Sequence, residues 1–155
     1  MKLKLLRYGL LFTCIALAVS AFAFVHSKDT TVKVADDEKG IRFIEQDWSK
    51  ALAQAKAEKK LVFLDIYATW CGPCKMLKKN TFTDEAVGKF FNENFVNISV
   101  DGEAGVGPEL AEKYSIRGYP SLIVSDADGN VVLAIAGYVD ASYLLSFAKE
   151  ALKRK

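Results

Sequence analysis

One histidine and three cysteines are all the chain offers of the residues that most often build metal and nucleophile sites. A single histidine, His26, excludes a multi-histidine zinc centre within one chain, and a histidine-based triad would depend on a residue close to the N-terminus. Three cysteines are too few for a disulfide-dense mini-protein, and their odd number calls for one to stand apart. Charge of one sign is also lacking: 21 basic residues face 19 acids, a net charge of +2, so no basic face for nucleic acid is expected. No repeat or low-complexity tract interrupts the 155 residues, a length for one domain. What is present is 51% hydrophobic residues against 26% charged, a balance that supports a packed core.

The first part of the chain reads as a targeting segment. Lys2, Lys4 and Arg7 precede the first acid, Asp29. Gly9 to Val25 is an apolar or weakly polar run, and Ala21-Phe22-Ala23 is a small-residue exit. Basic head, apolar middle and A-x-A exit are the parts of a secretory signal peptide over residues 1–23. An uncleaved anchor is the alternative, at the short limit for a span. A lipid-modified Cys14 is a third, but Leu11-Phe12-Thr13 before it lacks the small residues such a site needs. Each route carries the rest of the chain to an exported, extracytoplasmic or periplasmic space where disulfides persist. Cleavage after Ala23 makes Phe24 the first residue of the mature chain. Losing Lys2, Lys4 and Arg7 takes the 21 basic residues to 18 against 19 acids, a net charge of −1.

Residues 24–40 are polar and aperiodic, a flexible lead-in, and the domain is expected over 41–155. Asp47 suits the N-cap of a helix through Lys59, with Trp48, Leu52 and Ala55 on one face and Trp48 read as a packed aromatic. Leu61 to Tyr67 is a continuous apolar run that suits a strand buried on both faces. A helix is expected from about Pro73 to Lys79, then another capped by Thr83, with Asp84 and Glu85 in its first turn and Phe90, Phe91 and Phe95 inward. Strands follow over 95–100, 121–125 and 131–136, the last two joined by the turn Asp126-Ala-Asp-Gly-Asn130, with a short helix at 108–114. Asp140 caps a final helix with Leu144, Leu145, Phe147, Ala148 and Leu152 inward. The pattern is α/β: a central mixed β-sheet flanked by helices on both faces.

The chemistry concentrates in Trp70-Cys-Gly-Pro-Cys-Lys75, where the buried strand turns into a helix. Two cysteines three apart at a helix start can close a small disulfide ring. Cys71 sits at the N-terminus, where unpaired N–H groups and the dipole favour a thiolate, so it is the expected nucleophile. Cys74 lies one turn in and is the expected resolving thiol. Pro73 has no N–H to leave unpaired in the first turn. Two other readings stand beside this one. A plain structural disulfide would be a poor staple, since so short a loop removes little unfolded-state entropy. A zinc site lacks further ligands, whereas a two-thiolate copper(I) site with Met76 nearby stays open.

Phe63 to Lys75, with Ala68-Thr-Trp-Cys-Gly-Pro-Cys74 inside it, resembles the active-site strand and turn of the thioredoxin family. Ile116-Arg-Gly-Tyr-Pro-Ser-Leu122 resembles the family's second signature, and Gly137 falls where the family has a glycine after the hairpin. The resemblance spans about residues 41–152. It implies a thioredoxin fold and thiol–disulfide exchange, with Cys71 and Cys74 as the redox pair and no cofactor beyond their disulfide. Pro120 matches the family's cis-proline, and the Tyr119 backbone beside it would pair with substrate chain. Trp70, Gly72 and Pro73 match the surface around the pair. Asp65 matches the buried acid beneath the second cysteine; desolvation would raise its pKa and let it take the Cys74 proton. The implied partners are protein disulfides and, for a reductant outside the cytoplasm, a membrane-embedded thiol donor; no metal is implied, and a monomer is expected. Gly-Pro between the cysteines resembles the reducing members, while an oxidase, an isomerase or a reductase of cytochrome c maturation stays open as an alternative. So does a non-catalytic or copper-handling module.

Two positions depart from the family pattern. Asn97 falls where the family often pairs the buried acid with a lysine. The stretch Lys78 to Asp84 does not look like one long kinked helix and is more similar to exported members, including the periplasmic C-terminal domain of transmembrane disulfide reductases. The loop Asp101 to Gly107 reads as a solvated connector.

Overall fold

A computed structural model describes residues 39–154. The targeting segment with Cys14 and the Ala21–Ala23 exit, and most of the lead-in with His26, lie outside the described residues. In chain order the elements are β1 (Ile44–Glu45), α1 (Trp48–Glu58), β2 (Leu61–Tyr67), α2 (Gly72–Met76), a π-turn (Leu77–Thr81), α3 (Glu85–Asn94), β3 (Phe95–Asp101), α4 (Gly107–Lys113), β4 (Ser121–Ser125), β5 (Val131–Ala136) and α5 (Ala141–Lys153).

Five strands form one sheet in the order β1-β3-β2-β4-β5. β2 runs parallel to β3 and antiparallel to β4, so it is central, as its apolar run predicts. Its alternation feeds two cores. Phe63 joins Phe82, Val87, Phe91, Leu144 and Phe147 under α3 and α5. Val62, Leu64 and Ile66 join Ala51, Ala55, Ile98 and Leu110 under α1 and α4. Helices therefore cover both faces of a mixed sheet, the expected class. Trp48 packs edge-on against Tyr114, with ring centroids 6.1 Å apart, the structural role expected of it.

Helix ends follow the local chemistry. Asp47 accepts the Lys50 N–H at 2.9 Å, and Asp140 accepts the Tyr143 N–H at 2.8 Å. The first helix stops at Glu58, just short of expectation, because Lys59 turns left-handed (φ 55°). Thr83 is not the cap of α3. The Asp84 carboxylate accepts the Val87 N–H at 2.9 Å, while the Thr83 hydroxyl donates to the Lys79 carbonyl at 2.7 Å and closes the preceding turn. In α5, Leu144, Phe147, Ala148 and Ala151 are buried, while Leu145 and Leu152 pack at the core's margin. Strand β1 has no counterpart in the sequence pattern. So short a strand carries no readable period, and it is recruited by pairing with Ile98 and Ser99 of β3.

Candidate active site

The site lies where β2 ends and α2 begins. Tyr67 closes the strand, Ala68 to Trp70 turn the chain, and Cys71 caps α2. Cys71 and Cys74 are joined by a disulfide, with Cα atoms 5.3 Å apart. The Cys74 N–H points at the Cys71 sulfur at 3.1 Å. That donor is one of the unpaired amides of the first helical turn, and in the reduced pair it would favour a thiolate on Cys71 rather than on Cys74. Both cysteines are nearly covered, Cys71 at 2% and Cys74 at 3% exposure, under Ala68, Tyr67 and Tyr119. They differ in hydrogen bonding and not in exposure. Gly72 and Pro73 are exposed on the outer side of the ring.

The loop before β4 approaches from the side. The Tyr119–Pro120 bond is cis, as the resemblance implies. Pro120 is buried, and its carbonyl accepts the Gly137 N–H at 2.8 Å, which ties this loop to the end of β5. Gly137 takes φ 94°, a conformation that suits glycine. The Tyr119 ring stands edge-on to Trp70, 6.1 Å between centroids.

Trp70 is 67% exposed, yet it is held. Its indole N–H donates to both carboxylate oxygens of Glu103, at 3.0 and 3.1 Å. Glu103 belongs to the Asp101–Gly107 loop, which is more than the solvated connector its composition suggests. The Gly102 N–H donates to the Tyr67 carbonyl at 2.8 Å, and a Cβ on Gly102 would run into the Tyr119 ring. The loop is thus part of the wall of the site. Its sequence signal is two acids, Asp101 and Glu103, among glycines, with nothing local to reveal a partner so far back along the chain.

Asp65 lies on the same face of β2 as Tyr67 and is 1% exposed. The Ser99 hydroxyl donates to its Oδ2 at 2.9 Å, and its Oδ1 has no partner among the described residues. Burial pushes its carboxyl up to about 6, against the Ser99 hydrogen bond and the Lys78 charge, which pull down; Glu45 pushes it further up. The register explains the partner. Asp65 sits opposite Ser99, whereas Asn97 sits opposite Phe63, earlier on the strand. Asn97 is therefore not the acid's neighbour, and its amide donates to Asn92 Oδ1 at 3.2 Å instead. Lys78 enters from the π-turn, with its Nζ 3.5 Å from the centre of the Tyr67 ring. Ser99, Glu103 and Lys78 are the members of the site that sequence reasoning missed.

The structure thus brings together Cys71, Cys74, Trp70, Tyr119 and Pro120, with Asp65 buried in the strand that feeds them. Among the described residues no group of three or more His, Cys, Asp and Glu could hold a metal ion. A covered disulfide, an amide aimed at one sulfur and a buried acid with a raised pKa form an arrangement chemically able to carry out thiol–disulfide exchange.

A thioredoxin-like domain family matches residues 48–152, and the chain belongs to it. A putative disulphide-isomerase from Bacteroides thetaiotaomicron, solved in solution, is 42% identical, covers 76% of this chain and 97% of its own, and superposes with a TM-score of 0.67. The oxidised C-terminal domain of DsbD from Neisseria meningitidis is 26% identical, with 66% and 90% covered and a TM-score of 0.57. The thiol:disulfide interchange protein DsbD of Pseudoalteromonas atlantica is 31% identical over 109 residues, 68% of this chain and 18% of that protein. The chain thus spans less than a fifth of such curated relatives.

Proposed function

We propose that the protein is an exported thiol–disulfide oxidoreductase that reduces protein disulfides. The observation that carries the reading is the Cys71–Cys74 disulfide at a helix start, with the Cys74 amide on the Cys71 sulfur. In the reduced protein, the Cys71 thiolate attacks a substrate disulfide. One substrate sulfur leaves as thiolate, and a mixed disulfide forms on Cys71. Asp65 accepts the Cys74 proton, directly or through water, and the Cys74 sulfur then attacks Cys71. The second substrate sulfur leaves, and the protein ends with the Cys71–Cys74 disulfide, two electrons poorer. Trp70, Gly72, Pro73 and the Tyr119–Pro120 backbone form the docking surface, and no cofactor beyond the dithiol takes part.

Outside the cytoplasm this cycle needs a dithiol donor. The likeness to the C-terminal domain of DsbD and the basic, apolar segment Met1–Ala23 support a membrane-embedded donor and an exported, periplasmic location. Among the described residues no helix is long and apolar enough to cross a membrane. The domain works as a monomer in this reading.

Insulin reduction driven by dithiothreitol tests the assignment. Cys71→Ser should abolish the stimulation, and Cys74→Ser should accumulate a mixed disulfide with substrate. Activity unchanged by either substitution would sink it. The 42%-identical relative described as a putative disulphide-isomerase supports a second reading, isomerisation. Refolding of scrambled ribonuclease separates the two: an isomerase restores activity without net loss of disulfides, a reductase leaves free thiols.

A further inference from the structure

Asp65 is a buried acid with one oxygen unpaired among the described residues, and the neighbouring strand gives it a hydroxyl, not a cation. The groups that face it are few. Tyr67 stands on its own strand, Ser99 on β3 and Glu45 on β1; β4 offers only Leu122. The Cys71–Cys74 pair heads α2, and Lys78 follows it in the π-turn. Glu45 opposes ionisation of Asp65, so Lys78 is the one cation in this set that favours it.

Lys78 is held in place by its element. The π-turn is closed by the Phe82 N–H on the Leu77 carbonyl at 2.9 Å, an i→i+5 spacing. Leu77 and Thr81 are both fully buried, and the Thr81 hydroxyl donates to the Val139 carbonyl at 2.7 Å. Between these anchors, the Lys78 ammonium lies over the Tyr67 ring at 3.5 Å. Tyr67 and Asp65 share a strand face, ~7 Å apart along the chain. Lys78 is itself exposed, and its charge reaches Asp65 from the Tyr67 side, through surroundings less polar than water.

We propose that Lys78 is a positioning residue for the exchange reaction: seated on Tyr67 by the π-turn, it keeps Asp65 able to ionise and so to accept the Cys74 proton. The role rests on the function proposed above. It assigns a task to the π-turn that a plain helical continuation would not perform.

The test uses the full chain and two readouts. Carboxyl carbon NMR follows the ionisation of Asp65 in the wild type, Lys78→Met and Lys78→Arg. Stopped-flow release of the mixed disulfide from pH 5 to 9 follows the resolving step. Lys78→Met should raise the Asp65 midpoint by about half a pH unit or more, and Lys78→Arg should restore it. Release by Lys78→Met should slow about twofold near pH 6 and about threefold near pH 5, and the difference should vanish at pH 9, where Asp65 is ionised in both. An unmoved midpoint, or a slowing equal at every pH, overturns the role. If the wild type shows no exchange at all, the functional reading fails instead, and the Asp65 midpoint still decides whether Lys78 acts on it.

Discussion

Asp65 shows what a buried charge costs and where it leaves a trace. Its carboxyl titrates near 6 in the folded protein and near 3.8 when exposed. Between these values the folded state holds the proton more tightly, so stability falls as pH rises from about 4 to about 6 and stays low above that. Asp65→Asn removes the penalty while keeping an acceptor for the Ser99 hydroxyl. The variant should be more stable than wild type at pH 8 by up to about 3 kcal/mol, with no advantage at about pH 3. Urea melts at the two pH values check this; an advantage equal at both would mean that ionisation is not the cause. Glu103 makes a second prediction at this scale. In a Trp48→Phe background, Glu103→Ala should lower the fluorescence anisotropy of Trp70, because the double acceptor of its indole N–H is gone. Unchanged anisotropy would mean that packing against Tyr119 alone holds the ring.

Among the elements, the π-turn is the one that sets Lys78 against Tyr67. Thr81→Val keeps the shape but strands the Val139 carbonyl, and it should cost about 1–2 kcal/mol. Thermal denaturation measures it, and a loss under a few tenths would show that the anchor is redundant. Gly88→Ala should be worse tolerated, since a Cβ there would collide with the Gly40 backbone that α3 packs against. These elements also mark the limit of what sequence can tell. Leu61–Tyr67 is legible as an unbroken apolar run, and the helices around Leu144 and Phe91 because one-sided burial imposes a period. The π-turn is legible only as a departure, because one extra residue breaks the helical period without supplying another. Strand β1 leaves no period at all. Cys71 and Cys74 are legible because their chemistry is local, and Pro120 through the resemblance of residues 116–122 to the family's second signature. Ser99, Glu103 and Lys78 are not. The register of β2 against β3 selects Ser99 over Asn97, Glu103 meets Trp70 only through the fold, and Lys78 depends on the turn that carries it.

Across the whole molecule, charge is divided along the chain. The segment Met1–Ala23 holds Lys2, Lys4 and Arg7 and no acid, and the chain that follows it carries −1. Export with cleavage after Ala23 predicts a periplasmic product that begins at Phe24 and lacks Cys14. N-terminal sequencing and intact mass of the product from a periplasmic extract check this; retention of Met1–Ala23 in the membrane fraction would instead establish an anchor. The proposed direction of exchange is from the Cys71–Cys74 pair to protein disulfides. The pair's reduction potential, measured by equilibration with dithiothreitol or glutathione buffers, tests this most directly. A value toward the reducing end, below about −220 mV and approaching the ~−270 mV of thioredoxin, is the predicted result. A value near the ~−120 mV of strong disulfide oxidants would mean that the pair takes electrons from proteins instead.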